Sequence, residues 1–133
     1  MKYRFIYLVL ALVTLTSLTT AQVKEQFSES QINNLTEAIK SDNVGLQRSA
    51  LYLAGYYKID EVADVVKEQL YNDNPSVQIL AAITLYEIMD GDALAELEIL
   101  SSKTDENLRV RQMAKAIHDY WVKKGDKVVQ TIR

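Results

Sequence analysis

NDNPSVQILAAITLYEIMDGD, residues 72–92, opens on turn-forming residues and the lone proline of the chain, runs apolar for about four helical turns, and closes on an acidic turn. Pro75 suits the first helical position, where a backbone N–H has no partner to lose. Asn74 ahead of it can accept from the free amides of a helix start. The stretch therefore reads as a capped helix over 75–89. Working outward, similar turns recur as KSDNVG (40–45), YKID (57–60), MDGD (89–92) and SKTDEN (102–107). Each places Asp, Asn or Ser at a capping position. They divide the chain into six predicted helices, at 30–41, 44–57, 60–71, 75–89, 92–102 and 107–124. The short connections make sequence neighbours antiparallel, giving three αα-hairpins in a row. Strand signals are nearly absent; KVVQTI (127–132) is the one candidate, with nothing obvious to pair with.

The second helix of each hairpin repeats. LQRSALYLAGYY from Leu46, VQILAAITLYEI from Val77 and VRQMAKAIHDYW from Val110 align at spacings of 31 and 33 residues, a period typical of stacked helical repeats. An aliphatic residue opens each (Leu46, Val77, Val110), a long polar residue follows (Gln47, Gln78, Arg111), and alanine comes four places after the opener (Ala50, Ala81, Ala114). A small residue at a fixed place reads as a close helix–helix contact repeated from unit to unit. An acidic or Asn-rich turn, then Val-Arg, then alanine four residues after the valine, resembles the second helix of a HEAT repeat. DNPSVQILAAITLYEI and DENLRVRQMAKAI are the nearest matches and DNVGLQRSALYLAG is looser. Gln stands for the usual Arg in two of the three units, and the units are short for that family, so armadillo and other αα-solenoid patterns stay open. The resemblance spans about residues 30–124. It implies an all-α fold, an αα-superhelix of three HEAT-like helical hairpins (about 30–57, 60–89 and 92–124) in a right-handed stack. The family serves mostly for protein–protein contact.

The N-terminus reads differently. MKYR is a short basic start and FIYLVLALVTLTSL an apolar run of 14 residues, shorter than the roughly 20 a spanning helix needs. TTAQ follows, so a secretion signal over 1–21 with cleavage after Ala21 is the expectation, with a retained anchor as the alternative. Residues 22–29 then form a flexible mature N-terminus, and 125–133 a C-terminal tail after a helix stop at Gly125. No cysteine follows the apolar run, which excludes a lipid anchor there. The expected location is periplasmic or secreted. Removing Lys2 and Arg4 from the 15 basic residues leaves 13 against 18 acidic ones, a net charge of −5 for the mature chain. That balance argues against nucleic acid as a partner.

Little in the sequence carries chemistry. With no cysteine, disulfides and thiolate metal sites are excluded, and a single histidine, His118, leaves few arrangements for nucleophilic catalysis. The repeat places His118 on or beside the core face, as a hydrogen-bonded, partly buried residue. Asp90 and Asp92 around Gly91, and Asp105 beside Glu106, fall short of a calcium loop and read as helix caps and dipole partners. No glycine-rich phosphate loop is present. Lys123, Lys124 and Lys127 read as a solvated basic end. No cofactor, metal or catalytic residue is expected.

What remains is surface. Within the middle helix the core positions are Val77, Leu80, Ala81, Thr84, Leu85 and Ile88. The opposite stripe is also apolar: Ile79, Ala82, Ile83 and Tyr86. A central helix is covered by neighbours on both flanks, yet a far face this apolar still calls for a cover. Second helices line the concave side of such stacks, their usual binding surface. Arg48, Tyr52, Tyr56, Ile79, Ile83 and Tyr86 are therefore the expected partner-binding residues, unless a curled chain or the C-terminal VVQTI covers them. The functional expectation is an exported, non-enzymatic protein–protein interaction module, with a homo-oligomer among its assemblies and no stable membrane insertion after cleavage. The alternative is an accessory factor or enzyme of the HEAT-like lyase type.

Overall fold

The computed structural model describes residues 27–131, with side chains through residue 125. The signal segment 1–21 and the start of the mature N-terminus lie outside the described residues. The described part is all-helical, and no strand occurs in it.

Helix α1 (Glu29–Ile39) starts one residue earlier than predicted because Ser28 and Gln31 cap it reciprocally. The Ser28 amide donates to Gln31 Oε1 at 2.8 Å and the Gln31 amide to Ser28 Oγ at 3.3 Å. Helix α2 (Val44–Tyr56) is capped by Asn43, whose Oδ1 accepts from the Leu46 amide. The third segment departs from the predicted single helix 60–71. It is a 3-10 turn (Asp60–Val62), a short helix α3 (Ala63–Glu68) and a second 3-10 turn (Gln69–Tyr71). Ile59 and Val62 occupy its cap positions and offer no side-chain acceptor, so the tighter turns serve the free amides. Helix α4 (Pro75–Ile88) has Pro75 in its first turn and Asn74 as cap. Met89 ends it in the left-handed conformation, at φ 66°. Helices α5 (Ala93–Ser102) and α6 (Leu108–Thr131) complete the chain.

Two expectations at the C-terminus are corrected. The helix does not stop at Gly125, and the KVVQTI segment is not a strand as far as Thr131; α6 runs through both. No glycine of the described residues takes a positive φ. A glycine permits a helix stop without demanding one, at a cost inside a helix of about 1 kcal/mol relative to alanine.

α1 packs on α2, α2 along α4, α4 along α6, and α5 along α6, while α3 and its following turn lie against α4. The segment 75–88 is thus touched by α2, α3, α5 and α6, which accounts for its apolar composition on more than one face. Val77, Ala81, Thr84, Leu85 and Ile88 are buried as expected. Leu80, expected in the core, is half-buried at its edge, and Ala82, expected on the outward stripe, is buried. With helices on several flanks, the outward stripe of α4 is narrower than periodicity alone suggests. The core is completed by Leu51, Leu70, Leu97, Leu100 and Val110, all fully buried, each contributing about 1.5–3 kcal/mol of transfer free energy.

The three aligned alanines, Ala50, Ala81 and Ala114, are all buried. The polar residue before them has a shared role in two units. Gln47 Nε2 donates to the Ile39 carbonyl at 2.9 Å and Gln78 Nε2 to the Leu70 carbonyl at 3.0 Å. In both cases the side chain reaches back eight residues to the end of the preceding segment. Gln47 Nε2 also donates to Gln69 Oε1 at 2.8 Å, which accepts from Asn72 Nδ2 as well. In the third unit the pattern lapses: Arg111 Nε is buried with no hydrogen-bond partner.

Leu46 differs from the other openers. Val77 and Val110 are buried, whereas Leu46 is 50% exposed. On α4 the corresponding flank is covered by α2: Thr84 Oγ1 donates to the Leu51 carbonyl at 3.0 Å, and a Cβ at Gly55 would lie 3.4 Å from Thr84 Cα. On α2 the equivalent flank, Leu46, Leu53 and Tyr57, stays exposed.

Candidate functional site

The packing of α2 along α4 creates a groove whose floor is set by the glycine. Gly55 lets the helices approach, and the large side chains around it stand up as walls. Tyr52, Tyr56, Leu80, Ile83 and Glu87 line a hollow of about 300 Å³ over Gly55 and Thr84. It continues toward the start of α2 as a shallower depression bordered by Gly45, Arg48, Ser49 and Leu53, with Tyr52 and Leu80 shared between the two. Tyr52 and Tyr56, one helical turn apart, stack at 6.0 Å between ring centroids and 24° between planes. Tyr56 meets Tyr57 edge-on at 5.0 Å, and Phe27 meets Tyr57 at 5.7 Å. Tyr52 is 59% and Tyr56 66% exposed, so this aromatic ladder is largely in water.

Of the six residues expected to bind a partner, Tyr52, Tyr56 and Ile83 meet in the one hollow and Arg48 borders its continuation. Ile79 lies outside both parts of the groove, half-buried against the core. Tyr86 turns toward α6, where its ring meets Tyr120 and Trp121 edge-on at 5.7 Å each, with Lys124 Nζ 6.0 Å from the ring centroid. Loss of water around the ring, with Tyr120 beside it, raises the Tyr86 phenol above its ordinary value. Sequence reasoning places Gly55 on the stripe of Arg48 and Tyr52 without counting it among the binding residues, and it missed Leu80, Thr84 and Glu87 as groove residues. Leu80 and Thr84 read as core by periodicity, and the repeat of an alanine contact carries no hint that a glycine one turn further on sets the groove floor.

Other polar groups make contacts within the fold. Lys67 pairs with Asp64 at 2.9 Å and Asp90 at 3.4 Å, and these carboxylates, Asp64 foremost, raise its ammonium against a smaller opposing effect of burial. Asp90 Oδ1 accepts from the Asp92 amide; its Oδ2 is buried close enough to Lys67 for an ion pair but without a hydrogen bond. Glu106 Oε1 accepts from the Asn107 amide. His118 is partly buried, its Nδ1 3.4 Å from Asp119 Oδ1. Asp119 is held below the usual carboxylate range by Lys115 first and His118 second. Tyr71 donates to Glu96, bridging α5 and the end of the third segment. Burial, with the Glu96 carboxylate beside it, pushes its phenol up to about 12. Among the described residues no group of His, Asp and Glu is placed to hold a metal ion, and no helix is long and apolar enough to cross a membrane.

Comparison with protein-family models, with curated proteins and with solved structures finds no match to this chain.

Proposed function

We propose that the chain is an exported, non-enzymatic interaction module whose α2–α4 face binds a protein, built as a stack of three HEAT-like hairpins. The equal eight-residue reach of Gln47 and Gln78 supports the stack, as does the succession of α2, α4 and α6 against one another. The observation that carries the function is the exposed tyrosine ladder beside an apolar groove. A soluble chain gains nothing from holding Tyr52 and Tyr56 in water, and tyrosine with arginine is the composition of interface hot spots. The hollow has one carboxylate, Glu87, and no imidazole or lysine, which supports binding rather than turnover. The test is affinity retention by the wild type and by Tyr52→Glu, a substitution at a side chain 59% exposed. A specific protein retained by the wild type and lost with Tyr52→Glu, at unchanged thermal stability, is the expected result. Equal retention by both would overturn the reading.

A further inference from the structure

Six of the twelve large apolar side chains most exposed among the described residues lie within 44–57. Two of them, Tyr52 and Tyr56, form one stripe of α2 with Gly45 and Ser49, spaced four, three and four residues apart, and every member is exposed. That spacing is the seam of a two-helix packing. Its members are ordered by size: both small residues in the N-terminal half, both tyrosines in the C-terminal half. Two copies of α2 laid antiparallel about the middle of the helix bring Tyr56 of one over Gly45 of the other, and Tyr52 over Ser49, four knobs into four gaps. The same operation sets Leu46 of one copy beside Leu53 of the other.

Charge follows the same symmetry. Arg48 and Glu87 both lie on the α4 side of the seam, Arg48 toward the start of α2 and Glu87 beside Gly55 near its end. Reversal of direction brings Arg48 of each copy toward Glu87 of the other. Among the described residues neither is engaged in an ion pair within its own chain.

We propose that the α2–α4 face is a self-complementary surface and that its partner is a second copy of this chain, in an antiparallel, two-fold pair of α2 helices. The inference rests on the reading of this face as protein-binding and names the partner. An isologous contact needs each patch to complement itself, which the ordering of small and large residues and of opposite charges provides. The two tyrosines, at 59% and 66% exposed, offer about 500 Å² to a pair of copies. That is half of the roughly 1,000 Å² a specific interface needs, with Leu46, Arg48, Leu53 and Ile83 to supply the rest.

The test is sedimentation equilibrium of the purified protein with Ser49→Trp, Arg48→Glu, Glu87→Arg and the double charge swap, each checked for unchanged melting. The wild type should dimerise, and Ser49→Trp should be monomeric because the gap for Tyr52 is filled. Each single charge reversal should weaken the dimer about tenfold or more, and the double swap should restore it to within about threefold. A monomeric wild type at the highest concentration the protein tolerates would overturn the inference; if Tyr52→Glu still abolishes retention of a different protein, the wider reading of the face survives it. A dimer indifferent to Ser49→Trp, or a double swap as weak as the single reversals, would also overturn it.

Discussion

Replacing Gln47 and Gln78 by leucine separates the two glutamines by the number of acceptors each serves. Gln47 Nε2 is the hydrogen-bond donor to the Ile39 carbonyl and to Gln69 Oε1; Gln78 Nε2 serves the Leu70 carbonyl alone. Both are buried, and both carbonyls sit at the end of a segment with no following helical amide. Leucine nearly matches glutamine in volume, so the cavity term is small. Each buried acceptor left without a donor costs about 1–3 kcal/mol, and the extra apolar burial of leucine offsets about 1 kcal/mol in each variant. Gln69 Oε1 keeps Asn72 as a donor, so its loss is partial. The net expectation is about 2 kcal/mol for Gln47→Leu and about 1 kcal/mol for Gln78→Leu. Urea unfolding with a shared slope reads this directly. In a thermal scan the first should fall by about 8–16 °C and the second by about half as much. If Gln78→Leu costs as much as Gln47→Leu or more, the account of these glutamines as donors to the preceding segment fails. Arg111 occupies the same place with its Nε orphaned, so Arg111→Gln should be neutral or stabilising by up to about 1 kcal/mol.

Thr84→Val keeps the shape of the buried contact with α2 but removes the bond to the Leu51 carbonyl; urea unfolding should show a loss of about 1 kcal/mol. Met89 holds a left-handed φ of 66° at 50% exposure, so Met89→Gly should raise stability by about 0.5–1 kcal/mol, read as a higher urea midpoint. Tyr71 titrates near 12 in the folded protein against an ordinary value of 10.0. The folded state therefore holds this proton more tightly, and the stability it brings is full below pH 10 and lost as pH rises toward 12. Tyr71→Phe should flatten the loss over that window, and tyrosinate absorbance should lack its latest-titrating component.

The helical segmentation was legible because it rests on local chemistry. Asn43, Asn74 and Pro75 cap where their side chains and rings dictate, and the buried alanines at 50, 81 and 114 follow from a spacing visible in the sequence. The break-up of 60–71 into turns was not legible, because it depends on what the cap positions Ile59 and Val62 lack. The run of α6 past Gly125 was missed because glycine allows both outcomes. At the face, exposure of Tyr52 and Tyr56 follows from the helical period. The inward turn of Tyr86 to Tyr120 and Trp121, and the coupling of Gly55 to Thr84, are set by neighbours on other helices, about 30 residues distant in sequence. Periodicity within one helix has no access to them.

The most direct test of the central claim is a photo-reactive side chain placed at Tyr52 in the living cell, with Glu98, exposed on α5, as the comparison position. The account predicts a discrete adduct to a protein chain from position 52 and none from 98, the mass of the adduct telling a second copy from a different partner. Absence of an adduct at 52, or equal yields from both positions, would contradict it.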